Sequence, residues 1–102
     1  MKGDVYFMVR IKKMKHINIY SDRTGSYVVH NTKKEFSEGH THINNFSTAK
    51  YIAYLVIYKK LPKNNHLSIY LIDSVIRLSN DHKYINQMKL LKEQVLRKRN
   101  PY

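Results

Sequence analysis

Apolar residues follow two rhythms along this chain of 102 residues. They alternate or run briefly in the first third, then recur at helical spacing in the second half. Residues 5–11 form a short apolar, β-favouring run that predicts a strand. Residues 16–20 alternate, with Ile17 and Ile19 on one face and His16, Asn18 and Tyr20 on the other. Residues 26–30 supply a further strand. Between these two, Ser21-Asp22-Arg23-Thr24-Gly25 places Asp at the start of a type I turn and Gly where a positive φ is needed. A β-hairpin over 16–30 follows. Met14 offers a second translation start, which would make the first strand dispensable.

Residues 31–46 are polar and predict a long loop with room for a short strand. Ser47 then reads as the N-cap of a helix running to about Lys60, where Pro62 stops it. That helix is apolar nearly all round, which predicts a central, buried position. Its Tyr51, Tyr54 and Tyr58 stand on one side and read first as a core edge. They read second as a platform for unpaired bases. A second helix is expected over 66–79, with Leu67, Leu71, Val75 and Leu78 as its core stripe. Asp73 and Arg77 on it are spaced for an intrahelical ion pair, with a polar anchor for Arg77 as the sharper alternative. Asn80-Asp81 breaks and caps, and a third helix spans about 82–98 through Tyr84, Met88, Leu91 and Val95. The fold class is α+β: one small domain over 1–102, an antiparallel sheet followed by three packed helices.

Charge changes the picture. Nineteen Lys and Arg face seven Asp and Glu, a formal net charge of +12. An excess this large points to a polyanionic partner, DNA or RNA, or to an acidic protein. AT-rich codons are the competing source of the lysines, but such codons supply acids too, and acids are scarce. With 42% apolar residues the chain folds rather than forming a solvated tail. No cysteine is present, which excludes disulfides, thiolate metal sites and cysteine nucleophiles. The run Val5 to Val9 is too short for a signal-peptide core or a membrane span, so a cytoplasmic protein without membrane contact is expected.

The candidate chemistry is thin. His40-Thr41-His42 puts two imidazoles on one face of an extended segment, with His30 and His16 within reach of a hairpin. Such a set suits a metal, acid–base cleavage of RNA, or phosphate contact. Ser47-Thr48-Ala49-Lys50 matches the Ser-x-x-Lys pattern of serine β-lactamases, but their companion motifs are absent and Ser47 serves better as a cap. Residues 47–79 do not make a helix-turn-helix, because the second helix is too apolar to face base edges. The outer face of the third helix, with Lys83, Lys89 and Lys92, is the better groove reader.

The expectation is therefore a small basic nucleic-acid-binding protein, non-catalytic, with no cofactor or metal. Its contacts are expected at Arg23, Lys33, Lys34, His40, His42, Lys59, Lys60, Lys63, Arg97, Lys98 and Arg99. Two alternatives stand beside it. One is an interaction, inhibitor or accessory protein of a phage or mobile element, with the apolar helix 47–61 as a homodimer or partner interface. The other is a small ribonuclease using His30, His40 or His42.

Overall fold

The computed structural model describes residues 8–99. Four strands come first: β1 (Val9–Met14), β2 (Ile17–Ser21), β3 (Tyr27–Asn31) and β4 (His40–Ile43). They form one antiparallel sheet in the order of the sequence. Three helices follow, α1 (Phe46–Tyr58), α2 (Ile69–Leu78) and α3 (His82–Arg99), with a short 3-10 turn at Asn64–His66. This is the α+β arrangement that the two rhythms predict.

Period-two alternation makes the sheet two-faced. Ile17, Ile19, Val29 and Ile43 enter one core with Ala49, Ile52 and Leu55 of α1 and with Ile72, Val75 and Leu78 of α2. α1 lies on β2, β3 and β4, α2 lies on β3 and β4, and α3 rests on α2. The helices therefore cover one face of the sheet only. β1 reaches past that cover, and all its residues from Val9 to Lys13 are exposed.

The predicted hairpin forms. Gly25 takes φ +85°, and the Asp22 carboxylate accepts from the backbone N–H groups of Thr24 (2.9 Å) and Ser26 (3.1 Å). The first strand is shifted to Val9–Met14, and residues 5–7 of the expected strand lie outside the described residues. The polar stretch 31–46 contains a complete strand, β4, paired to β3 from His30↔His40 to Tyr27↔Ile43. Gly39 leads into it. A Cβ there would fall 2.5 Å from the Lys34 Cβ, so only glycine lets the connection fold this tightly.

α1 starts two residues before the expected cap. Asn45, not Ser47, caps it, its side-chain oxygen accepting from Thr48 N–H at 3.0 Å. This draws Phe46 into the helix, with its ring centroid 5.5 Å from that of Tyr27. α2 is shorter than 66–79, because Ser68 caps it by accepting from Leu71 N–H. Asp81 caps α3 as expected, accepting from Tyr84 N–H at 2.9 Å. The buried Tyr84 hydroxyl donates to the Lys60 carbonyl at 2.6 Å and fastens α3 to the end of α1. Burial pushes that phenol's pKa upward, which keeps it a donor.

Candidate nucleic-acid interface

Strand register builds the face of the sheet that is turned away from the helices. Arg10, Tyr20, Val28 and His42 lie in one cross-strand row. Lys13, Asn18, His30 and His40 lie in the next. None of the four strands contains Asp or Glu. A bulge between Arg10 and Lys12 twists β1, so Lys12 and Lys13 diverge onto both faces of the exposed edge. Val28 is buried outside the main core, between Tyr20 and His42 in register. Asn18 is buried as well, and its Oδ1 has no hydrogen-bond partner among the described residues.

The imidazoles are held, not loose. His40 stacks on Phe36 with centroids 4.3 Å apart, and its Nδ1–H donates to the Phe36 carbonyl. His30 meets the edge of the same Phe36 ring at 5.0 Å and bonds the Lys34 carbonyl at 3.2 Å. The His40 and His42 rings sit edge to face at 5.1 Å, which leaves no room for a phosphate between them. That geometry suits a contact surface better than an acid–base pair. Among the described residues no three metal-ligating side chains are grouped to hold an ion.

Burial holds the His40 pKa below its ordinary value despite the Phe36 carbonyl, with further lowering from His42, Arg77 and His30. Burial also lowers His16, aided by Lys33, Lys15 and Lys59. In both cases the unfolded chain takes up protons first as pH falls. Stability is therefore full above about pH 6.5 and drops as pH descends toward the lowered values. Urea midpoints measured at pH 7.5 and 5.5 should show this loss, and H16Q/H40Q should flatten it. An unchanged slope in that variant would place the proton uptake elsewhere.

The expected contact residues separate into structural and exposed groups. Lys34 is structural: its ammonium donates to the Arg77 (2.9 Å) and Ser79 (3.2 Å) carbonyls and closes the C-terminal end of α2. Lys59 takes the left-handed C-cap of α1 and pairs with Asp81 at 3.1 Å. Lys60 and Lys63 are exposed beyond it. Lys33 borders a cleft with His16 and Lys59. Arg23 is exposed on the hairpin turn. Arg97 pairs with Glu93 at 3.6 Å, Lys98 is exposed, and Arg99 closes α3. α3 packs chiefly on α2, so its basic end belongs to the helical side of the molecule and not to the strands that carry His40 and His42.

Two sequence expectations change here. Asp73 and Arg77 do not pair. Asp73 takes Lys92 at 2.8 Å, while Arg77 donates to the His40 (2.6 Å) and Ser37 (2.8 Å) carbonyls. The unmet carbonyls of an edge strand outcompete an exposed intrahelical pair, which contributes only tenths of a kcal/mol. Of the tyrosines of α1, Tyr51 packs at the core edge as expected, whereas Tyr54 and Tyr58 are 41% and 50% exposed. Arg10 and Lys13 were not among the expected contacts: strict alternation would put them on opposite faces, and the bulge between Arg10 and Lys12 brings them to one. No helix among the described residues is long and apolar enough to cross a membrane. Comparison with protein families, with curated proteins and with solved structures gives no match.

Proposed function

We propose that this is a small, non-catalytic nucleic-acid-binding protein that meets its partner with the outer edge of the sheet and the exposed parts of the face turned away from the helices. The observation that carries the reading is the composition of the two cross-strand rows. They gather Arg10, Lys13, His30, His40 and His42 on strands free of acid, around Tyr20 and the amide of Asn18. Antiparallel strands present side chains to nucleic acid in known modes of recognition. Lysine and arginine neutralise phosphates and release counterions, which makes affinity strongly salt-dependent. Of the seven acids, Asp73, Asp81 and Glu93 are each tied to a cation on the helical side, whereas Asp22 sits in the β2–β3 turn near His42 and Glu35 and Glu38 lie in the β3–β4 connection. A cytoplasmic location suits such a partner.

Fluorescence anisotropy with labelled single- and double-stranded DNA and RNA tests the reading. Micromolar or tighter binding is expected at low salt, weakening steeply toward physiological salt. Absence of binding to all four at low salt would remove the proposal. An acidic protein co-purifying in place of nucleic acid would favour the interaction-protein alternative.

A further inference from the structure

The geometry points to a second contact surface, on α1, that stacks the bases of an unpaired nucleic-acid strand. It rests on the nucleic-acid reading but uses a different face of the molecule. Tyr51, Tyr54 and Tyr58 recur at spacings of three and four, which aligns them along one side of the helix. Ala49, Ile52, Ala53, Leu55 and Val56 bury the helix's other side. Adjacent ring centroids are 6.3 Å (Tyr51–Tyr54) and 5.3 Å (Tyr54–Tyr58) apart, and His66 extends the series 4.9 Å beyond Tyr51.

The ladder is anchored at one end and open at the other. Tyr51 packs against the core, and its hydroxyl accepts from the Lys63 backbone N–H at 3.1 Å. Tyr54 and Tyr58 remain about half exposed, so their rings are within reach of a flat partner. The charge around them specifies which. The Lys15 ammonium lies over the Tyr58 ring, 5.4 Å from its centroid, Lys60 is exposed just past the ladder beside the Asp81-paired Lys59, and α1 contains no acid. A partner must offer successive π-faces and negative charge at once. An unpaired strand does so, whereas a duplex hides its base faces and an acidic peptide has no such series.

The experiment compares two oligomers of equal length and charge, oligothymidylate and an abasic deoxyribose-phosphate strand. The protein should bind the thymidylate at least about tenfold more tightly, since each stacked base contributes roughly five- to a hundredfold. Y54A/Y58A should erase that preference and leave the salt slope unchanged, while Y54F/Y58F should keep it. With nine tyrosines and no tryptophan in the chain, the part of the tyrosine quenching that is lost in Y54A/Y58A reports the stacking. Equal affinity of the unmodified protein for both strands would overturn the ladder and leave the phosphate reading standing. A preference that survives in Y54A/Y58A would also overturn it. Failure to bind either strand at low salt would overturn the ladder, and the phosphate reading would fall with it only if duplex DNA and both forms of RNA were not bound either.

Discussion

Reversing Arg10 and Lys13 together (R10E/K13E) is expected to weaken nucleic-acid binding about a hundredfold at 0.15 M salt. Both residues lie on the exposed strand β1, in the two rows that cross the sheet face turned away from the helices. Each lost phosphate contact should lower the slope of log affinity against log salt by about one, and the new carboxylates add repulsion. Neither side chain supports the core, so the thermal midpoint should stay nearly unchanged; exposed substitutions of this kind usually fall within about 0.5 kcal/mol. R97E/K98E is the matched control, the same charge change at the far end of α3. Should the control lose binding while R10E/K13E retains it, the phosphate-binding surface is the terminal helix and not the sheet.

The largest stability effect is expected at Asn31. Its side chain is fully buried, and its Nδ2 donates to the Leu78 carbonyl at 2.8 Å. Its Oδ1 accepts from Lys33 N–H at 2.9 Å. One amide thus joins the end of β3, the start of the β3–β4 connection and the last turn of α2. N31A leaves a buried carbonyl without a donor and opens a small cavity, a combined cost of about 2–4 kcal/mol. For a domain of this size that corresponds to a fall in thermal midpoint of roughly 10–20 °C. Urea unfolding checks the value, and a loss under about 0.5 kcal/mol would mean that the bond contributes nothing net.

Local signals were legible and long-range ones were not. Asp22 and Gly25 carry their turn within five residues, and Asp81 caps α3 with its own side chain, so both can be read from sequence. β4 is hidden because His40, Thr41 and His42 are polar on both faces; its strand character comes from pairing with β3. Competing caps at Asn45 and Ser47 are decided by Phe46 packing on Tyr27, a contact across the fold. Lys34 looks like any exposed lysine until α2 brings its terminal carbonyls within reach. The basic candidates in loops and at the terminus stood out as clusters. Arg10 and Lys13 did not, since cross-strand register alone places them beside Tyr20 and Asn18.

The two borders of the sheet are unlike. Along β4, the His40 and His42 carbonyls that a further strand would use are already taken, by Arg77 and by the Tyr70 hydroxyl at 2.7 Å. Along β1 no further strand pairs among the described residues, and the border is bulged and lined with cations. Growth of the sheet is therefore directional, and it is selective by sign. A second copy of this chain, approaching with the same cationic border, is repelled. A segment bearing acids could add there as a fifth strand without the electrostatic penalty that guards the border against its own kind.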